Sequence, residues 1–261
     1  MATAGLSWVN HLETAIIATN SEVAGLPLAN LTDLHGATIW RTQTHTGVTI
    51  TLDFGSAKPV KAAMIAAANF SASATWRLRL STTSAHAGDL SDSGVVAMNR
   101  GLIDNKRSQA AMVLAGAIST RYAKLDLDDP GRAAQGYFDV GLLWIGDLWQ
   151  PARNFSWGAQ GGLRDESPVS SSIGGQDYVD VRDKFRAETF SFNFLTDAEY
   201  FASIDQIDAI AGIARNVLVI PDPGGAYMNS QAIVGRVTEL SPTSRAYFNG
   251  RSRAFSIKER L

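Results

Sequence analysis

The chain has 261 residues, 23 Lys plus Arg against 25 Asp plus Glu, and a formal net charge of −2, so no electrostatic footprint points to nucleic acid. With 45% apolar residues and a mean hydropathy of −0.03, the composition is that of a soluble globular protein of one large or two ordinary domains. Cysteine is absent, which excludes disulfides and thiolate chemistry. The four histidines, His11, His35, His45 and His86, are scattered and lack the close pairing of a metal site. Residues 62–68 and 110–118 are the longest apolar stretches and are far too short to span a bilayer, so no membrane insertion is expected. The first residues, Met-Ala-Thr-Ala-Gly-Leu-Ser-Trp, lack the basic region and long apolar core of a signal peptide. With Met1 in place, an intact intracellular product is expected.

From Asn10 to about Trp149 the chain reads as short strands broken by Ser, Thr, Gly and Asn, the grammar of an antiparallel sandwich. Strands are predicted at 15–19, 48–54, 62–68, 75–81, 110–117, 122–128 and 137–145. In the second of these, Val48, Ile50, Leu52 and Phe54 share one face and Thr49, Thr51 and Asp53 the other, as a half-buried strand requires. Residues 76–81 alternate as cleanly, with Trp76, Leu78 and Leu80 on one face. Near Leu148-Trp-Gln-Pro151 the grammar changes. Residues 158–175 are rich in Gly and Ser and read as a long loop or hairpin with little core of its own, a kind of segment usually functional or ordered by a partner.

A strand is predicted over 181–194, with Phe190, Phe192 and Phe194 opposite Phe185, Thr189, Ser191 and Asn193. Thr196 and Glu199 then form a capping box that opens a helix over 196–212. Tyr200, Ile204, Ile207 and either Ile210 or Ala211 recur at helical spacing, and Gly212 is placed to end it. Residues 216–220 read as a buried strand closed by Pro-Asp-Pro-Gly-Gly, and strands at 232–240 and 245–258 complete the chain.

The segment Leu-Pro-Leu-Ala-Asn-Leu-Thr-Asp-Leu-His-Gly-Ala-Thr-Ile-Trp of residues 26–40, followed by Leu52-Asp-Phe-Gly55, resembles the discoidin or galactose-binding-like β-sandwich. The likeness continues in order through Lys58-Pro-Val-Lys-Ala-Ala-Met-Ile, Trp76-Arg-Leu-Arg-Leu-Ser-Thr and Arg121-Tyr-Ala-Lys-Leu-Asp-Leu-Asp-Asp, about 130 residues in all. The second half, with its Phe-Leu-Thr-Asp-Ala-Glu switch, its Val-Leu-Val-Ile-Pro-Asp-Pro strand and its closing Arg-Ala-Phe-Ser-Ile-Lys-Glu, resembles the ring-forming domains of phage tail-tube and distal tail proteins. These likenesses imply a mainly β chain. A galactose-binding-like jelly-roll sandwich at 1–149 precedes a ring-forming β-sandwich or barrel domain at 150–261, with one flanking helix. The order of modules departs from that of distal tail proteins, which leaves the place in a baseplate open.

No Ser-His-Asp order, Walker loop or framed carboxylate pair is present, so no enzyme is expected and no cofactor is implied. A glycan-acting enzyme with an accessory module would need a carboxylate pair that the sequence does not reveal. Asp126, Asp128 and Asp129 offer oxygens to calcium, but read better as an acidic strand end entering a Pro-Gly turn. Asn30, Thr32 and Asp33 likewise read as capping groups of a tight turn. Trp40 could stack on a sugar, although in the family it resembles a Trp at this place packs in the core. Candidate glycan-binding residues on the sandwich loops are Arg41, His45, Asn69 and Phe70, which could equally be ordinary loop residues or contacts to a neighbouring subunit.

Trp144, Trp149 and Trp157 lie near the boundary of the halves, where aromatic residues suit an interdomain or intersubunit surface as well as burial within one half. Trp149, Trp157, Arg164, Arg251 and Arg253 are candidates for an assembly interface. Arg236, Arg245, Arg251, Arg253, Lys258 and Arg260 make the end of the chain basic, either a solvated strand face or an edge for an acidic neighbour or for DNA in a lumen. The expected function is structural: a component of a phage tail tip or baseplate, in the virion and assembled in the bacterial cytoplasm. Its expected partners are copies of itself in a hexameric or trimeric ring, tube and hub proteins, and a host surface glycan. The alternative is a carbohydrate-binding module that recognises host polysaccharide.

Overall fold

The structure, a computed structural model, describes residues 3–98, 101–102 and 107–261; Met1, on which one expectation rested, lies outside them. The chain is mainly β and forms two compact units. One holds the residues up to 152 together with 217–234 and Leu261; the other holds 153–216 and 235–260.

In chain order the first stretch gives β1 (Gly5–Ser7), β2 (Ile16–Thr19), β3 (Trp40–Arg41), β4 (Val48–Ala68), β5 (Thr75–Ser81), β6 (Ser91–Asp92), β7 (Val96–Ala97), β8 (Gly101–Leu102), β9 (Ser108–Asp128), β10 (Asp139–Val140) and β11 (Leu142–Gly146). β4 and β9 are each 21 residues long and pair antiparallel, from Val48 opposite Leu127 to Ala68 opposite Ser108. The sequence predicts two strands in each of these places, 48–54 and 62–68 in β4 and 110–117 and 122–128 in β9, with Gly55-Ser-Ala-Lys-Pro59 left outside them. The pairing instead runs through it, with Lys58, Pro59 and Val60 opposite Thr120, Ser119 and Ile118. Register slips between Asp53 and Lys58, Val60 and Ala62, and Ile65 and Ala68 absorb the extra residues. Gly55 takes φ +74° at the bend, a conformation glycine adopts without a Cβ penalty. Pro59 donates no ladder bond and is tolerated at such an irregularity. β2 and β11 flank β4, while β5 flanks β9 and carries β6 and β7.

The two halves of β4 bury differently. Val48, Ile50, Leu52 and Phe54 alternate into a core shared with Trp76, Leu78, Leu80, Ala123, Leu125 and Leu127. Residues 62–66 are all buried. Ala63 and Ile65 face that core with Leu143 and Ile145, whereas Ala62, Met64 and Ala66 pack with Leu142, Trp144, Leu218, Ile220, Ala232 and Val234. A strand covered on both faces loses the period-two pattern, which is why 62–68 reads as an unbroken apolar run. The second covering comes from residues 217–234, which return to the first unit. Gln109, fully buried, is satisfied there by donating to the Ala232 carbonyl at 2.8 Å and to the Asn229 carbonyl.

The later strands are β12 (Gln160–Arg164), β13 (Val169–Ser171), β14 (Asp177–Val179), β15 (Phe185–Leu195), β16 (Asn216–Ile220), β17 (Ile233–Val237), β18 (Ser244–Tyr247) and β19 (Gly250–Glu259). In the first unit β1 pairs with β16, Leu6 opposite Val219. In the second unit β15 lies between β12 and β19, and residues 235–237 of β17 pair with the far side of β19. Phe190, Phe192 and Phe255 form an aromatic core with ring centroids 5.7 to 6.2 Å apart. Phe194, expected on the same face, is 52% exposed, because a bulge between Phe192 and Leu195 turns it outward. The strand predicted over 245–258 is a hairpin, turned at Asn249 with φ +60°.

The capping box forms as expected. The Thr196 hydroxyl accepts the Glu199 amide at 3.2 Å, and the Glu199 carboxylate accepts the Thr196 amide at 3.0 Å. The helix runs as an α-turn (Asp197–Glu199), a π-turn (Tyr200–Ile204) and a second α-run (Asp205–Ile210). Ile204, Ile207 and Ala211 are buried and Ile210 is 41% exposed, so Ala211 takes the fourth core position. Gly212, at φ +51°, donates to the Ile207 carbonyl at 3.1 Å and ends the helix.

On the inner face of β15, Arg186 is buried and held by Glu259 at 2.5 Å. Glu188 sits one pair along, opposite Gly161 and Ile257, and makes no hydrogen bond among the described residues. Burial pushes its carboxyl up to about 7, against the pull of Arg186. The fold therefore keeps this proton where the unfolded chain has released it, so stability falls as pH rises from 4.5 to about 7. Glu188→Gln is expected to remove that slope and to raise stability above neutral pH by roughly 1–3 kcal/mol. Urea unfolding across this pH range measures it; an unchanged slope would refute the assignment.

Candidate functional site

Three loops of the first unit converge at one end of the sandwich: 41–47, 69–74 and 129–139. Asp139 ties the first two together. Its carboxylate accepts Arg41 Nε at 2.7 Å and Arg41 Nη2 at 2.9 Å, and Asn69 Nδ2 reaches the same group at 3.2 Å. The Asp139 amide donates to Asn69 Oδ1 at 2.8 Å, and the Asn69 amide to the Asp139 carbonyl at 3.2 Å. The Arg41 guanidinium lies 4.3 Å over the Tyr137 ring, a cation–π contact.

The third loop is anchored by Asp129, which is fully buried. It accepts the Ser71 amide at 2.8 Å and the Ser71 hydroxyl, while its own amide donates to the His45 carbonyl at 2.8 Å. Beside it, Gly131 packs so tightly on Ser71 that a Cβ there would lie 2.2 Å from the hydroxyl oxygen. The second loop is aimed by a strained residue: Ala67 takes φ +52° at the last register slip of β4 and accepts the Gly141 amide at 3.1 Å.

The sequence-predicted residues fare differently. Arg41 and Asn69 are brought together, although 28 residues apart in sequence, through an aspartate that the sequence gives no reason to single out. The two side-chain contacts of Asn69 both go to Asp139, so it acts as a positioning residue. Arg41 gives two of its five N–H donors to Asp139, and its side chain is a third exposed. His45 is half-buried and its ring makes no hydrogen bond among the described residues. Phe70 is a correction: it is 2% exposed and packs its ring 5.0 Å from Phe138, so it offers no face to a ligand. The ring next to Arg41 is that of Tyr137, which is half-buried. Trp40 lies in the core, edge-on to Phe138 at 6.1 Å.

The acidic groups weighed for calcium are engaged elsewhere. Asp126 pairs with Arg79 at 2.6 Å and with Lys124 at 3.5 Å, and Asp128 accepts the Gly47 amide at 2.6 Å. Asp33 accepts the His35 amide at 3.1 Å and the Thr38 hydroxyl at 3.2 Å, as a turn-forming aspartate does. Among the described residues no group of three or more His, Cys, Asp or Glu is placed to hold a metal.

The candidates for an assembly surface also separate. Trp144 is buried in the first unit and donates to the Ser7 hydroxyl at 3.0 Å; Trp149 is half-buried there and exchanges backbone hydrogen bonds with Leu6 at 2.9 Å. In the second unit Arg251 and Arg253 are corrections. Arg251 donates to Asp197 at 2.6 Å and lies 4.6 Å over both Tyr200 and Phe201; Arg253, 3% exposed, is bound to Asp208 at 2.7 and 2.9 Å. Both pin the helix onto β19. Trp157 and Arg164 are exposed, and so is every residue from 157 to 184 except Ser167, which is half-exposed.

No protein-family model and no curated protein sequence matches the chain. Among solved structures it is similar to CpGH89CBM32-6 produced by Clostridium perfringens, with 14% identity over 54% of this chain and 99% of that one, at a TM-score of 0.38. It is similar to CpGH89CBM32-5 from Clostridium perfringens in complex with GalNAc-beta-1,3-galactose, with 16% identity over 54% and 100% of the chains and a TM-score of 0.39. A third is the lectin domain of Lectinolysin complexed with Lewis B antigen, with 11% identity, 55% and 98% coverage and a TM-score of 0.39. At such identities and TM-scores, the reading of this site rests on its own side chains.

Asp139→Ala leaves Arg41 and Asn69 without their shared partner and is expected to lower stability by about 2 kcal/mol, since hydrogen bonds to a charged group are lost. Denaturant unfolding checks this, and a loss no larger than that of an exposed surface charge would show that Asp139 does not organise the loops.

Proposed function

We propose that the first unit binds a saccharide at its loop end. The observation that carries this is Arg41, stacked on Tyr137, on loops locked by Asp129 and Asp139, the first of which also carries His45, whose ring makes no hydrogen bond among the described residues. An aromatic wall suits the apolar face of a sugar ring, and fixed N–H donors suit its hydroxyl and ring oxygens. Because both aspartates are already hydrogen-bonded within the loops, the donors are held in place before any ligand arrives. Arg41→Ala combined with His45→Ala is expected to weaken glycan binding about tenfold or more while leaving the thermal midpoint within a few degrees. A glycan array followed by titration calorimetry measures it. Unchanged affinity in a folded variant would remove the loop end as the site.

A second reading concerns the other unit. It supports the structural role expected from the sequence, a tail-tip or baseplate component of a virion, assembled in the bacterial cytoplasm. Residues 157–184 form an arm with no core of its own, in which, among the described residues, β13 and β14 pair only with each other. Trp157 and Ile173 are fully exposed, Val181 is 83% exposed and Val169 60% exposed. An isolated two-stranded hairpin is marginal in water, and exposed apolar side chains of this size mark surfaces that a partner covers. In this reading copies of the chain, in a hexameric or trimeric ring, together with tube and hub proteins, supply that cover. Replacing residues 165–183 by a short Gly-Ser linker is expected to leave the unfolding midpoint nearly unchanged and to abolish self-association. Light scattering at increasing concentration tests it: association that persists without the arm, or a wild-type chain that stays monomeric throughout, counts against the reading.

A further inference from the structure

A cleft of about 260 Å³ opens on the outer face of the first unit's sheet, lined by Gly47, Thr49, Thr75, Trp76, Arg77, Arg79, Val95, Asp126 and Asp128. Strand register places the polar members on one surface: Thr49 stands opposite Asp126, Arg77 opposite Asp126 on the other side, and Thr75 opposite Asp128. An outer sheet face is ordinarily a solvated mosaic of charges. Here the charges are fixed. Arg77 forks onto Asp92, which holds the Asp92 carboxyl down to about 2; Arg79 binds Asp126 at 2.6 Å; and the Gly47 amide holds Asp128. Arg79 Nε is buried and meets no acceptor among the described residues.

We infer that this cleft is a second saccharide site, separate from the loop end, for an uncharged sugar unit. The lining offers guanidinium donors and carboxylate acceptors in equal number, two threonine hydroxyls, and the exposed apolar side chain of Val95; the Trp76 ring beneath belongs to the core. A carboxylate accepts from two neighbouring hydroxyls, and a guanidinium donates to the ring and hydroxyl oxygens beside them. The paired charges cancel across the cleft, which selects against a ligand of either net charge. Loop 41–47 joins the two sites: Gly47 lines the cleft, and the His45 carbonyl is held by Asp129, the residue after Asp128. An oligosaccharide gripped at both would gain avidity from two weak contacts. The inference rests on the saccharide reading of the first unit.

The test is amide NMR of the full chain titrated separately with galactose, N-acetylgalactosamine, glucose and mannose. Resonances of Thr49, Thr75, Arg77, Val95 and Asp126 are expected to shift with at least one sugar, both in the wild type and in the Arg41→Ala, His45→Ala variant. Arg77→Ala is expected to weaken that response about fivefold without lowering the thermal midpoint, because an exposed ion pair contributes little to stability. Shifts confined to the loop end would overturn the second site and leave the saccharide reading standing. Cleft shifts that vanish in the loop variant would overturn its independence. Silence with all four sugars would overturn both readings.

Discussion

The first unit depends on one long pairing. Two strands of 21 residues run antiparallel along each other, and their shared irregularities let one ribbon serve two layers. Everything else is hung from this pair: β5 on one strand, β2 and β11 on the other, and the loops at the ends. Because backbone hydrogen bonds must be satisfied wherever chain is buried, the ladder fixes register over its whole length. It therefore fixes which side chains face the core, which line the outer cleft and which reach the loop end. A slip of one residue would exchange the buried Val48, Ile50, Leu52 and Phe54 with Thr49, Thr51 and Asp53.

Alternation carries sequence information where only one face is buried. The front half of β4, the strand 75–81 and the capped helix at 196–212 are legible for that reason, since each shows one periodic stripe and one end signal. Legibility fails in two other circumstances. Where a segment is covered on both faces, as at 62–66, the period vanishes and its second partner cannot be inferred. Where a turn-like string such as 55–59 is crossed by the pairing, Gly55 bending and Lys58 and Pro59 rejoining the partner strand, local chemistry is overridden by the ladder. The bulge that turns Phe194 outward belongs to the same class, because it is set by the register of β19.

The candidate site was half legible. Arg41, His45 and Asn69 could be picked as polar residues on loops, but the group that organises them, Asp139, lies 98 residues from Arg41 and sits in a predicted strand. Phe70, picked as a loop aromatic, is instead buried against Phe138, while Tyr137, which nothing in the sequence singles out, is the ring that lies under Arg41. The arginines of the last strand show the same lesson from the other side: a basic run invites thoughts of a partner, yet Arg251 and Arg253 find their carboxylates on the helix of their own unit. Exposure, and not charge, separates the surface that awaits company from the surface already occupied.

One arrangement bears on how the molecule is made. The apolar surface formed by Ala62, Met64, Ala66, Leu142 and Trp144 is finished by Leu218, Ile220, Ala232 and Val234. During synthesis the ribosome must add more than sixty further residues after Gly146 before those covering side chains emerge. At ordinary elongation rates that is a wait of several seconds, long compared with collapse and helix formation. For that interval the nascent sandwich carries a bare greasy flank, and a chaperone or a slow collapse must guard it. A gene cut after residue 152 would leave the flank bare for good, so this chain is better divided by contacts than by scissors.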